Sequence, residues 1–362
     1  MQPIRNNIQR IVLRSALIIA IVSILVSCQL TPTPAQPSPP TVEATLPHLP
    51  ETFQTTFLNP LDVPRDYVEE TCRYLKNKWN PLSAEPGTIV MPILIENIVP
   101  GTADLPGSVN EGTFMELMDQ LHGQGFEAIT PKEFQAFMER NVKIPPRSIF
   151  IIQDGNQNTA YYDRYYGEYF VNWGWVVVNG WISEPDISPT LLEENRILET
   201  LGFVDHQARG VTPDTILSDE TAKSVLAREL QGSVNGFAEH FAKTPTVMVW
   251  QNGGFGIRPV EVARQLRFKL GFTANARGPV MYNWVPLADN PDPSRPDLLP
   301  EGRIGDPLMT LPTYSPQEAL LAIDTVRQIG KEAAAYELAN KEMEHKYYEI
   351  VCEPTYGPMP TP

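Results

Sequence analysis

Basic residues are scarce in this chain of 362 residues. It has 28 lysines and arginines against 43 aspartates and glutamates, which gives a formal net charge of −15 at pH 7. Three of the arginines precede residue 28, in a segment without acids, so the remainder carries about −18. A protein that binds nucleic acid needs a basic surface to meet the phosphates. The composition therefore excludes nucleic acid as a partner.

Several catalytic sequence motifs are absent as well. No G-x-S-x-G segment occurs, which argues against a serine hydrolase of the common type. The glycine-rich segment "QNGGFG", residues 251–256, lacks the spacing and the lysine of a phosphate-binding loop. Histidine is rare, and four of the five histidines fall on a predicted linker or on predicted helices, where nothing recommends them as metal ligands.

Cysteine is equally rare, with three residues in the chain. The first, Cys28, ends "SALIIAIVSILVSC", an apolar run that follows three arginines and is too short for a comfortable membrane span. Its last four residues, "LVSC", resemble the lipobox of bacterial lipoproteins, whose cysteine is lipidated after cleavage. We therefore predict a signal peptide over residues 1–27 and a lipid anchor on Cys28. The alternative is an uncleaved anchor with an incidental cysteine.

A proline- and threonine-rich segment follows the predicted anchor. The stretch "QLTPTPAQPSPPTVEATLPHLP" is typical of an extended, solvated linker, and we predict a tether over residues 28–60. The tether would hold the rest of the chain at the extracytoplasmic face of the cell membrane. That location favours a disulfide between Cys72 and Cys352, since the ends of a folded chain are often neighbours. Two separate buried thiols are the alternative.

Strand-like and helix-like segments alternate between residues 88 and 330. Short apolar runs such as 88–98 and 148–153 are separated by amphipathic helical segments of about 10–15 residues, a pattern typical of βα units around a parallel sheet. The number of units, about six or seven, favours a barrel over an open sheet. The last helix is predicted over residues 315–330, from the capping box of Ser315 and Glu318 to Gly330 as its stop.

The order of these pieces resembles that of NodB-type polysaccharide deacetylases. The segments "IVMPILIENI", "FMELMDQLHGQGFEAITPKEF" and "IPPRSIFIIQDG" follow one another as do the first strand, the helix and the "TFDDG" motif of that family. The resemblance covers residues 88–330 and implies an α/β fold, a distorted (β/α) barrel of about seven strands. An N-terminal segment, 61–87, would precede the barrel, and a C-terminal helical extension, 331–362, would follow it.

The resemblance also implies a catalytic site, and its motif residues match only in part. The family uses a metal, usually zinc, held by one aspartate and two histidines, to remove acetyl groups from cell-wall sugars. Asp154 falls on the metal-binding aspartate and Gln153 on the neighbouring base, where a glutamine cannot accept a proton. His206 falls on the first metal histidine and Gly210 on the second. The histidine that acts as general acid near the end of the family's domain has no counterpart here.

Several interpretations of these residues stay open. Asp205 or Glu96 could supply a third ligand and so complete a zinc site with Asp154 and His206. Alternatively, His206 is a hydrogen-bonded buried histidine and Asp154 only forms the turn before Gly155. Glu96, Asp154 and Asp205 could also converge as the carboxylates of a glycoside hydrolase, and their spacing would decide the matter.

Aromatic and amide residues indicate where a sugar would bind. Trp250, Gln251 and Asn252 stand at the end of a predicted strand, and we predict that they line a carbohydrate groove. Trp173 and Trp175 share one face of another predicted strand and are interpreted as core residues.

The sequence as a whole predicts a cell-surface lipoprotein with a catalytically impaired, deacetylase-like barrel that binds a glycan at the cell envelope. It would need no cofactor or hold zinc weakly. One alternative is an active metal-dependent carbohydrate deacetylase with a non-standard ligand set. The other is a structural or interaction module without a ligand.

Overall fold

The structure is a computed structural model that describes residues 47–104 and 107–360. Its strands are β1 (Asp62–Arg65), β2 (Ile89–Ile95), β3 (Asn97–Val99), β4 (Ser108–Asn110), β5 (Glu127–Ala128), β6 (Arg147–Asp154), β7 (Val177–Ile182), β8 (Val204–Gly210), β9 (Val247–Val249), β10 (Leu270–Phe272) and β11 (Val285–Ala288). Its α-helices are α1 (Thr71–Lys78), α2 (Glu111–Gly123), α3 (Pro131–Arg140), α4 (Thr159–Tyr165), α5 (Gly167–Trp173), α6 (Pro189–Thr200), α7 (Lys223–Leu226), α8 (Gly232–His240), α9 (Ile257–Gln265), α10 (Pro316–Tyr347) and α11 (Glu353–Tyr356). Single π-helical turns join α7 to α8 (Ala227–Gln231) and α10 to α11 (Tyr348–Cys352).

A seven-stranded parallel sheet forms the centre of the fold. Its order is β10-β9-β8-β7-β6-β2, with the short β5 paired to the beginning of β6. The sheet curls into part of a barrel, as the sequence predicted. Its strands are buried on both faces, which is why they appear in the sequence as continuous apolar runs.

The segment 311–314 closes the gap between the two edges of the curled sheet. The backbone N–H of Leu311 donates to the carbonyl of Gly271 in β10 at 2.8 Å, and the N–H of Tyr314 donates to the carbonyl of Pro92 in β2 at 2.9 Å. A single extended segment therefore bridges the outermost strands and completes a distorted barrel.

Strand alternation separates an interior face from a helix-covered face. Even-numbered residues of β2 and β6, such as Val90, Phe150 and Ile152, pack inside the barrel. Odd-numbered residues of the same strands, such as Ile149 and Ile151, pack against the surrounding helices. Successive side chains of a strand point to opposite faces, so this parity decides which side chains can reach the barrel interior.

The helix α10 begins as predicted and ends much later. Ser315 and Glu318 form the predicted capping box. The predicted stop at Gly330 is wrong, because the helix continues to Tyr347. A Cβ atom at Gly330 would lie 3.1 Å from the carbonyl oxygen of Gly87, so this glycine allows the helix to pack closely against the chain before β2. The predicted boundary of the barrel at residue 330 thus falls inside one continuous helix.

The predicted disulfide is present. Cys72 in α1 and Cys352 in the π-helical turn after α10 are bonded, with their Cα atoms 5.4 Å apart and a sequence separation of 280. The bond fastens the C-terminal helical extension to the N-terminal segment. In the chain-entropy account, closing a loop of this length destabilises the unfolded chain by about 5–6 kcal/mol.

The last part of the predicted tether packs on the folded domain. The hydroxyl of Thr55 donates to Glu332 in α10 at 2.9 Å, and the indole N–H of Trp284 donates to the carbonyl of Phe53 at 2.9 Å. The domain therefore starts before residue 61. The predicted signal peptide, Cys28 and the tether up to residue 46 lie outside the described residues. In the described ranges, no helix has the length and apolar character needed to span a bilayer.

Candidate functional site

Two charged side chains meet inside the barrel where its strands end. Asp154 is the last residue of β6 and shares the interior face with Phe150 and Ile152. Arg209, next to the last residue of β8, forms a close ion pair with it through Nε and Oδ1. The side chains of Arg209 and Asp154 are 8% and 10% exposed. The carboxylate at the predicted metal position is therefore paired with a permanent cation of the same chain.

Gly180 in β7 leaves the room that this ion pair needs. In the sheet, Gly180 lies beside Asp154 on one side and beside Gln207 on the other. A Cβ atom at Gly180 would lie 3.1 Å from Asp154 Oδ1 and 3.4 Å from Val249. The missing side chain thus lets the carboxylate extend across β7 toward Arg209.

Arg209 is the cation closest to two carboxylates at this edge. Burial raises the pKa of Asp154 above its ordinary value, and the neighbouring Arg209 guanidinium offsets part of that rise. Glu96 stands exposed just after β2. Partial desolvation raises the pKa of Glu96, the Asp154 charge raises it further, and Arg209 lowers it. The fixed positive charge of Arg209 is therefore paired with Asp154 and also favours the charged form of Glu96.

Gln153 points to the helix-covered side of β6 and is fully buried. Its amide nitrogen donates to the carbonyl oxygens of Glu96 at 3.1 Å and Asp154 at 3.0 Å. Its amide oxygen accepts from the hydroxyls of Tyr161 at 3.1 Å and Tyr166 at 2.8 Å. The side chain has used its two donors and both lone pairs of its acceptor. At the predicted base position the chain thus has a residue that is not basic and is held by its neighbours.

Gly210, which the resemblance places on the second metal histidine, has little room for a side chain and a backbone conformation that L side chains rarely adopt. Its φ is +129°, and a Cβ atom would lie 3.1 Å from both Gln251 Oε1 and Glu229 Oε2. Glu229 lies in the π-helical turn after α7, and its carboxylate accepts from the backbone N–H groups of Val211 at 2.9 Å and Thr212 at 3.0 Å. Polar groups that fix the loop after β8 therefore occupy the space of a metal ligand.

His206 lies on the face of β8 opposite to Arg209. Its Nδ1 lies 2.7 Å from Glu199 Oε2, and its Nε2 lies 2.9 Å from Asn195 Oδ1. The ring is fully buried and stacks on Phe241 at a centroid distance of 4.5 Å. Burial lowers the pKa of His206. The structure does not bring His206 to Asp154, and its surroundings match the alternative of a hydrogen-bonded buried histidine.

Asp205 does not join the other carboxylates. It is the second residue of β8, two positions nearer the strand's start than Gln207, which lies level with Asp154 in the sheet. Its Oδ1 accepts from Lys243 Nζ at 2.9 Å and from Gln207 Nε2 at 2.7 Å. The predicted convergence of Asp205 with Glu96 and Asp154 is therefore not found, either as a metal site or as a glycosidase pair.

A metal ion does not fit the residues present. In residues 47–104 and 107–360, no three His, Cys, Asp or Glu side chains are close enough together to hold one. Of the predicted ligands, Asp154 and Glu96 are at this edge, and the Arg209 guanidinium stands against the better buried of the two. Two carboxylates beside a permanent cation are a poor donor set for zinc, which requires three or four ligands.

The three residues predicted to line a groove differ in their exposure. Trp250 is 2% exposed, and its Nε1 donates to the carbonyl of Met309 at 2.7 Å, so it is a core residue. Gln251 is 1% exposed, and its amide nitrogen donates to the carbonyl of Thr212. Asn252 is exposed and has a left-handed backbone, with φ at 49°. Of the three, Asn252 alone presents its side chain to solvent.

The sequence contained a signal for Arg209 that the motif alignment hid. In the segment "DHQARG", alternation places Asp205, Gln207 and Arg209 on one face of the strand and His206 on the other. Aligning His206 with a metal ligand turns the wrong face of β8 toward Asp154. The roles of Tyr161 and Tyr166 had no such signal, since they depend on how α4 packs against β6.

Comparison with known proteins finds likeness in structure but none in sequence. No protein-family model and no curated protein matches the chain. The deacetylase PplD of Streptococcus pyogenes, solved in complex with acetate, gives a TM-score of 0.50 at 13% identity over 65% of this chain and 98% of that one. A polysaccharide deacetylase from Bacillus cereus gives 0.49 at 14% identity over 66% and 68%. A de-N-acetylase from Aggregatibacter actinomycetemcomitans gives 0.49 at 12% identity over 66% and 99%.

At such identities the likeness concerns the fold alone. It confirms, at that level, the predicted resemblance to NodB-type polysaccharide deacetylases and the α/β barrel that the resemblance implied. It does not transfer an activity, because a fold can carry sites of different chemistry.

Proposed function

We propose that this chain is a lipid-anchored, non-catalytic module of a bacterial cell envelope, whose deacetylase-like barrel binds a glycan instead of hydrolysing it. One observation carries the proposal: the Asp154 carboxylate, at the position of a metal ligand, is paired with the Arg209 guanidinium. A guanidinium has no open coordination position and cannot activate a water molecule at neutral pH.

The other groups required for deacetylation support the same conclusion. A metal-dependent deacetylase needs a base beside the metal aspartate and at least three ligands. Gln153 stands at the base position with its hydrogen-bonding groups fully used, and a side chain at Gly210 would collide with Gln251 and Glu229. Hydrolysis would require changes at several positions together, each of which is now held by its neighbours.

The cell-surface location rests on the sequence and is supported by the disulfide. Residues 1–27 have the features of a secretory signal, Cys28 ends a lipobox-like segment, and a proline-rich tether follows. The bond between Cys72 and Cys352 suits an oxidising compartment. In this proposal the membrane is one partner, through the lipid, and an envelope polysaccharide is the other.

The glycan would bind at the rim where the barrel strands end. Glu96 and Asn252 stand exposed there, after β2 and β9, and offer a carboxylate and an amide to sugar hydroxyls. Below them, the Asp154–Arg209 pair closes the barrel interior. Such a rim is suited to holding a chain of sugars across the mouth without drawing an acetyl group inside.

The experiment is a metal and activity assay on the processed chain, extracted from membranes in detergent. After incubation with zinc and dialysis, we expect substoichiometric zinc and no release of acetate from N- or O-acetylated envelope polysaccharides. Tight, stoichiometric zinc or released acetate would overturn the proposal in favour of an active deacetylase. A binding screen with envelope oligosaccharides then tests the ligand, with Glu96→Gln and Asn252→Ala expected to weaken retention. If no oligosaccharide binds, the chain is a structural module.

The anchor is tested separately. A Cys28→Ser variant should fail to incorporate a fatty-acid label that the wild-type chain takes up. Equal labelling of the two proteins would exclude lipidation at Cys28 and favour an uncleaved hydrophobic anchor. This result bears on the location and leaves the conclusion about the barrel untouched.

A further inference from the structure

A second candidate site lies at the end of the domain where β2 begins. There a cavity of about 180 Å³ opens between residues 49–53, helix α1, the turn 281–284 and helix α10. We call it the basal cavity. The disulfide from Cys72 to Cys352 fastens together the chain segments that carry two of its walls. The basal cavity is remote in sequence from the residues of the barrel mouth and shares none of them.

The charges that line the basal cavity are not balanced. Its one ammonium group, on Lys78, forms an ion pair with Glu344 at 3.0 Å, and Glu344 also accepts from the indole N–H of Trp79 at 2.6 Å. Glu337 lies two turns before Glu344 on the same face of α10, and the backbone N–H of Gly87 lowers its pKa. Among the described residues, no lysine or arginine forms an ion pair with Glu337. Its negative charge has no cation of its own.

The environment of Glu337 shows the same imbalance. Burial raises the pKa of Glu337 to about 7, Lys78 lowers it and Glu344 raises it. The titratable and charged groups that line the cavity around it are Tyr74 and Lys78 on α1, Tyr336 and Glu344 on α10, Glu51 and Asp66 before α1, and Tyr282 on the turn. After Lys78 is paired with Glu344, the acids Glu337, Glu51 and Asp66 remain, and no further lysine or arginine in the described part of the chain lines the cavity. A ligand with a positive charge would therefore be stabilised here.

Aromatic rings form two walls of the basal cavity. Phe53 contacts Trp284, with ring centroids 5.9 Å apart, and Tyr336, with centroids 5.6 Å apart. Tyr74 stacks on Tyr282 at 5.8 Å. The faces of such rings attract cations, and the attraction grows when water is excluded. Carboxylate and aromatic groups together favour an organic cation with an apolar body.

A buried hydroxyl supplies an independent indication. A smaller lobe of about 20 Å³ adjoins the basal cavity and shares Glu337, Lys78 and Tyr282 with it. Thr88 lines this lobe at 3% exposure, and its hydroxyl has no hydrogen-bond partner among the described residues. A buried polar group without a partner is costly, so a ligand that donates to it gains affinity. Quaternary ammonium groups have no N–H to donate, whereas primary ones have three.

We propose that the basal cavity binds a small primary ammonium compound, whose charge is met by Glu337 and whose N–H groups reach Glu337 and Thr88. A metal ion does not suit the site, because no three acidic or histidine side chains of the described residues are close enough to ligate one. The proposal goes beyond the envelope function proposed above, since it concerns the other end of the domain and a different chemistry.

The direct test compares two probes of equal shape, cyclohexylamine and cyclohexanol, by isothermal titration calorimetry with the processed chain. We expect the amine to bind and the alcohol to bind at least about tenfold more weakly, since charge-assisted hydrogen bonds are the stronger kind. Affinity for the amine should rise about tenfold from pH 6 to pH 8, because the Glu337 carboxyl must lose its proton to meet the cation. Equal binding of the two probes, or no binding of the amine, overturns the proposal.

Two conservative variants locate the site, and a third serves as control. Glu337→Gln should lower affinity for the amine about tenfold and abolish its pH dependence. Thr88→Val should lower it about fivefold and leave the pH dependence in place. Glu342→Gln removes an exposed carboxylate from the same helix outside the cavity and should change neither. If the Thr88 variant binds as tightly as wild type, or the Glu342 variant weakens binding as much as Glu337→Gln, the assigned contacts are wrong. Thermal unfolding of each variant verifies that it is folded.

Discussion

The two ends of the barrel differ in whether their buried charged side chains have partners of opposite charge. At the mouth, Asp154 is paired with Arg209, and Gln153 has a partner for each of its hydrogen-bonding groups. At the base, Lys78 forms an ion pair with Glu344, and Glu337 forms none with a lysine or arginine of the described residues. Polar groups satisfied within the chain gain little from a ligand, whereas unsatisfied ones gain much.

This difference separates the end of the barrel where chemistry is usual in such folds from the end where we propose a site for a cation. In α/β barrels, chemistry is commonly placed where the parallel strands end. Here the buried carboxylate at that edge, Asp154, is paired with the Arg209 guanidinium. The unbalanced charge lies at the opposite end, where the N-terminal segment and the long helix α10 have been added to the barrel. Four changes test whether the two ends are independent and which contacts stabilise the mouth and the sheet around it.

Loss of the disulfide should have the largest effect, and it should be confined to the base. Replacing both Cys72 and Cys352 by serine frees a loop of 280 residues and should lower the free energy of unfolding by about 4 kcal/mol, measured in urea. Hydrogen exchange should rise first in α1 and in the turn Tyr348–Cys352. The mouth strands β6 and β8 should keep their protection, and an equal rise there would show that the two ends are coupled.

Removing the cation of the mouth should have the next largest effect. Arg209→Met keeps the length of the side chain but leaves the Asp154 carboxylate buried without a partner. We expect the free energy of unfolding in urea to fall by about 3 kcal/mol. Asp154→Asn in the same chain should restore most of the loss, because it removes the stranded charge. A double variant as unstable as the single one would show that Arg209 acts through its packing.

The barrel, the position of Asp154 and the disulfide could each be predicted from the sequence. The barrel followed from the alternation of apolar runs and helices, and Asp154 from its place at the end of β6. The disulfide followed from the position of two cysteines near the ends of the folded region. These features depend on local pattern or on chain order, which a single sequence records.

The misleading features depend on side-chain direction and on packing between distant elements. His206 matched a motif position, yet the parity of β8 turns it toward Asn195 and Glu199 in α6. Gly330 matched a helix stop but is a point of close packing against Gly87. Glu337 gave no signal at all, because its environment is created by the docking of the N-terminal segment on α10.

A histidine at position 210, where the resemblance places a second metal histidine, should destabilise the mouth without creating a metal site. Gly210→His places a side chain where a Cβ already meets Gln251 and Glu229, at a φ of +129°. We expect the free energy of unfolding to fall by about 2 kcal/mol, with Gly210→Ala losing nearly as much. Thermal unfolding with and without zinc measures both effects. A clear stabilisation of the histidine variant by zinc would contradict our account of the mouth.

Gly174→Ala is the matched control for that experiment. Gly174 also has a positive φ, +70°, but a Cβ atom there would meet nothing within 4 Å. Its substitution should cost only the strain of the backbone, about 1 kcal/mol. The difference between Gly210→Ala and Gly174→Ala then gives the contribution of the crowded polar groups together with the additional backbone strain at a φ of +129°. If the two variants are equally destabilised, backbone conformation alone explains the glycine at position 210.

The smallest effect is expected at His206, which lies on the helix-covered face of the sheet and not at the mouth. Burial lowers the pKa of His206 in the folded chain below its unfolded value of about 6.5. The unfolded chain therefore takes up the proton first, so the contribution of this residue to stability is complete above that pH and declines as the pH falls. In His206→Gln the decline is absent. The stability gap between wild type and variant at pH 8 reports the lost contacts with Glu199 and Asn195, and we expect it to shrink by about 1 kcal/mol at pH 5, measured in urea. A gap that stays constant with pH would mean that the pKa of His206 is the same in the folded and unfolded states. A gap that widens as the pH falls would mean that folding raises this pKa and favours the charged imidazole.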